Sequence, residues 1–367
     1  MKPLRNANAR TLGEAVALAQ GARAAGARAS YAGGGSDLLG MVKERIEEPD
    51  LVVSLKTVVG HDQVETAGGG IRIGGLITLD TLSRHQLVRD QFAVLAQAAG
   101  TVATPQIRNV GTLAGNVSQR PWCWYYRRGF DCYKAGGNQC FSATGENQFH
   151  AIFGGGPSYI VHPSDTAVAL VALDATFRLV GPSEDRSVPA AQFFVLPSEN
   201  PARENVLRED ELLVGVELPA PATGARSAYH KVMDRESWTH AVVSAAVVLD
   251  LEGEVCRGAR IVLGGVAPTP WRVPAAEQLL VGNRVTAALA ARAADVASPL
   301  SAAAAAAAAP PAAWGQGFAQ AVAGVLSLES AAVRHIETRG KGTRMRPGSS
   351  SFQEATLSQA ARKCRRK

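Results

Sequence analysis

The sequence predicts an α+β protein of two or three domains. Its 367 residues exceed the length of one ordinary domain, and a composition of 46% hydrophobic and 19% charged residues is typical of a globular protein with a sizeable core. Strand-like and helix-like segments are mixed along the chain as far as the proline-rich turn at 219–221. Beyond that turn, three strands and two helices predict a second, smaller α+β unit.

The first segment, 1–58, predicts two helices and two strands. Thr11 and Glu14 form a capping box that opens a helix, which places Leu12, Ala15, Val16 and Ala19 on one face. A strand near 28–31 leads into a glycine turn and a second helix to about Arg45. The apolar run 51–55 predicts a buried strand.

The remaining elements follow from apolar runs and turn residues. Strands are predicted over 71–74, 158–161, 176–180, 212–218, 228–233, 241–249 and 259–265. Helices are predicted over 79–85, 92–99, 167–173, 275–280 and 287–296. The segment 162–165 is expected to open the helix at 167.

The last segment, 298–367, differs in composition from the rest. It holds a run of eight alanines, a helical pattern near 318–328 and a basic tail. From Arg334 onward there are ten Lys or Arg and two Glu, which leaves 28 basic and 30 acidic residues in the remainder. The body is therefore close to neutral, which argues against a nucleic-acid partner, and we expect a solvated, disordered tail.

Membrane insertion and export are not predicted. No run approaches the roughly 20 apolar residues that a bilayer span requires. The first ten residues are polar and lack the apolar core of a signal peptide.

A glycine turn stands between the strand near 28–31 and the helix that follows it. Strand, glycine turn and helix are the context in which backbone N–H groups approach a pyrophosphate. The spacing matches neither G-x-G-x-x-G nor a Walker loop, and Ser36 and Asp37 are expected to cap the helix. The candidate binding residues here are Ala32, Gly33, Gly34, Gly35, Ser36, Asp37 and Leu38.

A second turn with small residues lies within 104–116. Small side chains again permit a close approach of backbone N–H groups to a ligand, and two residues add side-chain donors, Thr112 and Asn116. The candidate binding residues are Thr112, Leu113, Ala114, Gly115 and Asn116.

Three cysteines, Cys123, Cys132 and Cys140, fall within eighteen positions after this turn. In a chain without an export signal, such a cluster favours a metal site over disulfide bonds. Cys256 lies in a strand-like run and is expected to be a buried structural thiol.

Four motifs in order resemble the FAD-binding subunits of the molybdenum hydroxylases, the xanthine dehydrogenase and aldehyde oxidoreductase superfamily. The matching segments are 32–38, 106–116, 163–165 and 229–232, and the resemblance extends over roughly 1–297. It implies a two-lobed PCMH-type FAD-binding domain followed by a smaller α+β C-terminal flavoprotein domain. The implied boundaries of the two lobes are 1–58 and 59–222, and the second lobe contains a cysteine loop at 120–160. The C-terminal domain is expected at 223–297 and the tail at 298–367.

The same resemblance implies residue roles. The first turn would wrap the pyrophosphate of FAD, and the second would hold the phosphates and the adjacent ribityl chain. Asp165 would bind a flavin hydroxyl, Leu213 would pack near the ring system, and Lys231 would lie beside the isoalloxazine.

The cysteine loop resembles a subgroup with an additional 4Fe-4S cluster. The fourth family cysteine falls at Ser158 in this sequence. The ligand set therefore stays open. The fourth ligand of a cluster could be the Ser158 oxygen, or His150 or His162 in its place, or the cluster could have only three protein ligands. The loop could also bind a zinc ion or no metal.

The resemblance implies an oxidoreductase subunit that transfers electrons. A 2Fe-2S subunit would deliver electrons from a molybdenum-cofactor subunit to FAD, which would pass them to an external acceptor. No catalytic acid or base is predicted in this chain. The alternatives are a self-contained PCMH-type flavin oxidoreductase and a zinc-stabilised scaffold. A cytoplasmic location is expected, or a periplasmic one if an exported partner carries the subunit.

Overall fold

The computed structural model describes residues 2–297, which form three β-sheets with helices between and around them. The alanine run, the helix predicted near 318–328 and the basic tail lie outside the described residues. Within 2–297, no helix combines the length and the apolar character needed to cross a membrane.

The first sheet is parallel, with the strand order β1-β3-β2. Its elements are β1 Arg5–Asn8, α1 Leu12–Ala24, β2 Ala29–Ala32, α2 Leu38–Lys43 and β3 Leu51–Ser54. Thr11 caps α1 by accepting a hydrogen bond from the Glu14 N–H at 3.1 Å. The Glu14 carboxylate accepts from the Arg10 N–H at 2.8 Å, so the reciprocal bond of the predicted capping box reaches one residue further back.

The second sheet is antiparallel, with the order β4-β5-β8-β6-β7. Its strands are β4 Val64–Ala67, β5 Gly70–Gly74, β6 Thr176–Val180, β7 Asp185–Pro189 and β8 Leu212–Leu218. The helices in this part are α3 Leu79–Arg84, α4 Gln86–Gln91, α5 Ala93–Gly100, α6 Pro105–Arg108, α7 Leu113–Val117, α8 Trp124–Arg127, α9 Asp165–Ala172 and α10 Ala190–Phe193. Every residue of α9 is buried, so this helix lies within the core.

The third sheet is antiparallel, with the order β12-β11-β10-β9. Its elements are β9 Ala225–Val232, β10 Val243–Glu252, β11 Val255–Gly264, β12 Trp271–Arg272, α11 Pro274–Leu280 and α12 Ala287–Ala297. Tyr229, Val248 and Val262 join the core around α5 and α9, while Val247 and Ile261 join the core of α11 and α12. Both faces are therefore buried, which explains the nearly continuous apolar run of β10.

Several sequence predictions differ from the structure at exposed or irregular segments. The predicted strand at 158–161 is a loop, because its backbone bonds locally: the Tyr159 carbonyl accepts from the Ala151 N–H at 2.9 Å. The sequence did not predict several short elements that carry polar residues. These are β1, β4, β7 and β12 among the strands and α4, α6, α8 and α10 among the helices. Such elements depend on pairing with their neighbours more than on their own apolar pattern.

Replacing Thr11 by Ala should lower the free energy of unfolding by about 1 kcal/mol, because the Glu14 N–H loses its acceptor. Denaturant unfolding of the full-length protein measures the change. Thr11→Ser keeps the side-chain oxygen and serves as the control. Equal destabilisation by both substitutions would contradict the capping role.

Candidate functional site

The two small-residue turns pack directly against each other. A Cβ atom added to Gly34 would lie 2.0 Å from the Val110 carbonyl oxygen, and one added to Gly33 would lie 2.7 Å from Thr112 Oγ1. Gly35 has φ +76°, the left-handed conformation that glycine adopts without strain. Glycine is thus needed at these positions for the contact between the turns as well as for a ligand's approach.

Backbone donors are concentrated where the turns meet. Among the described residues, the N–H groups of Gly34, Gly35, Ser36 and Thr112 have no acceptor within the protein. Unpaired N–H groups of successive turn residues form the concave donor sites that bind phosphate. The structure therefore brings the two predicted phosphate-binding segments together.

The second turn continues into a short helix, where the sequence predicted only a turn. Thr112 caps α7, since its Oγ1 accepts from the Gly115 N–H at 3.2 Å. Asn116 Oδ1 accepts from Ser164 Oγ at 2.7 Å and from Thr166 Oγ1 at 2.6 Å. Asn116 thereby joins the second turn to the start of α9.

Asp165, the first residue of α9, is held by two residues of β9. Lys231 Nζ donates to Asp165 Oδ2 at 2.7 Å, and Tyr229 Oη donates to Asp165 Oδ1 at 2.6 Å. Asp165 is 5% exposed, Lys231 8% and Tyr229 7%, so all three residues are buried. The structure thus brings Asp165 and Lys231 together, whereas Leu213 lies on β8 in the hydrophobic core.

Asp37 has a different role from the predicted helix cap. Its carboxylate makes no capping bond to α2 and instead accepts from Arg127 Nη2 at 2.8 Å and from the Arg120 N–H at 3.2 Å. Arg120 also pairs with buried Glu204, Nε to Oε2 3.2 Å. Glu204 in turn pairs with buried Lys134 at 3.2 Å. The pair with Asp37 holds the cysteine loop against the first glycine turn, and the pairs with Glu204 hold it against the segment before β8.

The three cysteines of the loop are neighbours with different contacts. Cys132 is buried beside Met41 and Tyr126, and Cys123 packs against the same small cluster. Cys123 Sγ lies 3.2 Å from His150 Nε2, while Cys140 Sγ accepts from the Tyr159 N–H at 3.4 Å. Burial raises the pKa of the Cys123 thiol and lowers the pKa of His150 to about 4, so both groups are neutral near pH 7.

The predicted metal ligands Cys123, Cys132 and Cys140 are free thiols in the cysteine loop. Within residues 2–297, no three His, Cys, Asp or Glu side chains are placed so as to share a metal ion. The fourth position holds Ser158, which is buried, and Cys123 already contacts His150. The residues present therefore do not fit a four-thiolate cluster.

A cavity of about 220 Å³ lies between the cysteine loop, the start of α9 and the loop that joins β9 to β10. Pockets for drug-sized ligands start at roughly 300 Å³, so the cavity suits one ring system and not a whole dinucleotide. The lining includes Trp122, Cys123, His150, Asp165 and His240.

Sequence reasoning missed two contributors to this region. Tyr229 was part of a quoted motif but had no assigned role, although its spacing from Lys231 places both on one face of a strand. Arg127 gave no signal, because an ion pair ninety positions apart depends on the tertiary fold.

Two family models match the chain. Residues 3–221 match the FAD binding domain in molybdopterin dehydrogenase, and residues 228–312 match the CO dehydrogenase flavoprotein C-terminal domain. These matches agree with the resemblance that the four sequence motifs indicated.

Curated relatives and solved structures agree with the family models. The aldehyde oxidoreductase FAD-binding subunit PaoB of Escherichia coli K12 is 38% identical over 257 residues, which cover 69% of this chain and 79% of that protein. The carbon monoxide dehydrogenase medium chain of Hydrogenophaga pseudoflava is 28% identical over 289 residues, covering 78% and 83%. A solved structure of the Hydrogenophaga pseudoflava carbon monoxide dehydrogenase matches with a TM-score of 0.68, 26% identity, and coverage of 90% and 99%. The chain belongs to the family of FAD-binding subunits of the molybdenum hydroxylases.

Proposed function

We propose that this chain is the FAD-binding electron-transfer subunit of a molybdenum hydroxylase complex. The contact between the two glycine turns carries the proposal. It brings together the N–H groups of Gly34, Gly35, Ser36 and Thr112, for which residues 2–297 provide no acceptor. Backbone donors in this arrangement suit the pyrophosphate of a dinucleotide.

The remaining site residues lead from these turns toward the cavity. Asn116 contacts Ser164, which immediately precedes Asp165 in the wall of the cavity. We assign the phosphates to the turns, the ribityl hydroxyls to the neighbourhood of Asn116 and Asp165, and the ring system to the cavity. When bound, FAD supplies exchange of one or two electrons, while these residues bind and orient it.

Partners of two kinds follow from the family. We assign a molybdenum-cofactor subunit, which selects and hydroxylates the substrate, and a 2Fe-2S subunit, which delivers the electrons. The compartment is the cytoplasm, or the periplasm if an exported partner carries this subunit.

Replacing Gly34 by Ala should weaken FAD binding by about tenfold or more, because the new Cβ would collide with the Val110 carbonyl and push the turns apart. FAD titration of the flavin-free complex, followed by flavin fluorescence, measures the loss. Gly21→Ala adds a methyl group where no atom lies within 4 Å and serves as the control. If Gly34→Ala binds FAD as tightly as the control does, the turns are not the phosphate site.

The iron content of the cysteine loop should depend on residue 158. Because the wild-type loop lacks a fourth thiolate, we expect well under four iron atoms per chain. Ser158→Cys should raise the iron content toward about four, the number that Cys₄ ligation of a 4Fe-4S cluster requires.

Iron and zinc analysis, together with electron paramagnetic resonance on both proteins, measures this prediction. Ser83→Cys, which adds a half-buried thiol on α3 outside the cysteine loop, is the control. A wild-type chain that already holds four iron atoms would show that Ser158 or a histidine completes the site. One zinc ion in both proteins would indicate a structural site instead.

A further inference from the structure

The charged pair of Asp165, which lines the cavity, and Lys231, which lies behind it, has a third member with no assigned role. Tyr229 donates its hydroxyl hydrogen to Asp165 Oδ1 at 2.6 Å, a short hydrogen bond between a phenol and a carboxylate. Lys231 donates to the other carboxylate oxygen at 2.7 Å and to the Thr101 carbonyl at 3.2 Å. Each oxygen of Asp165 therefore has its own buried donor.

The position of Tyr229 is fixed from two sides. On β9 it pairs with Ala246 of β10, and Lys231 pairs with Ser244, so both side chains leave the same face of the sheet. The backbone N–H of Tyr229 donates to Gln97 Oε1 of α5 at 2.7 Å. Tyr229 is thus attached to α5 by its backbone and to α9 by its hydroxyl group.

Tyr229 does not itself line the cavity, but it contacts Asp165, which does. Asp165 lines the cavity, whereas Tyr229 and Lys231 lie behind it. Burial, with Asp165 adding to it, raises the pKa of Tyr229 well above its ordinary value, so the phenol keeps its proton. The hydroxyl is therefore a permanent donor to the carboxylate.

We propose that Tyr229 is a positioning residue that sets the charge balance of Asp165 and Lys231 and thereby the reduction potential of the bound flavin. This inference rests on the proposed FAD site and adds a residue to it. The phenol delocalises part of the carboxylate's negative charge and holds Oδ2 toward Lys231.

The sign of the effect follows from the charges. Without the phenol hydrogen bond, the negative charge of Asp165 is less neutralised, and the cavity wall becomes more negative. A more negative wall disfavours the added electrons of reduced flavin, so the potential falls. A stronger phenol donor has the opposite effect.

The test compares flavin potentials in the full complex. Tyr229→Phe should lower the FAD reduction potential, measured by dye-coupled spectroscopic titration. Tyr31→Phe is the control. It removes a half-buried hydroxyl group that lies 3.5 Å from the Asp210 carbonyl and does not contact Asp165, so the flavin potential should stay unchanged. Site-specific replacement of Tyr229 by 3-fluorotyrosine preserves the shape of the ring and strengthens the donor, so the potential should rise.

The outcomes separate this inference from the proposed function. Wild-type complex without FAD would overturn the proposed function itself. If FAD is bound and the potential is the same in wild type, Tyr229→Phe and the fluorotyrosine protein, Tyr229 has no positioning role. If Tyr229→Phe does not fold, the comparison of the fluorotyrosine protein with the wild type decides alone. A flavin reduction potential that is equal to that of the wild type, or lower, then overturns the inference.

Discussion

The buried pair of Asp165 and Lys231 is the interaction on which the arrangement of the site depends. It joins the first turn of α9, in the middle of the core, to β9 of the third sheet. Removing one partner of such a pair typically costs about 3–5 kcal/mol, because an uncompensated charge stays buried. Asp165 lies in the first turn of α9, where the positive end of the helix dipole stabilises its negative charge.

The contact between the glycine turns is the second constraint, and it acts on the backbone. Main-chain atoms of the two segments approach so closely that a single methyl group on Gly34 has no room. Several N–H groups at this contact have no acceptor in the part of the chain that the structure describes. The small residues of the two turns therefore have two effects: they allow the turns to pack closely, and they provide backbone N–H donors for phosphate.

The sequence predicted this fold well where a local pattern determines the structure. The capping box at Thr11, the glycine turn before α2 and the apolar helix after Ser164 are all confirmed within a few residues. The predictions failed where distant residues decide: Asp37 looked like a helix cap, yet it pairs with Arg127. No local pattern distinguishes a cap from an ion pair when the partner lies elsewhere in the chain.

The cysteine loop can be ordered by its own contacts. Tyr125 and Phe130 meet edge to face with 5.2 Å between ring centroids, and Phe130 and Phe141 with 4.9 Å. Such aromatic pairs add about 0.5–1.5 kcal/mol each beyond their burial. Together with the ion pair to Asp37, these contacts stabilise the loop. Because Trp122 and Cys123 line the cavity, the ordered loop also provides one wall of the proposed flavin site.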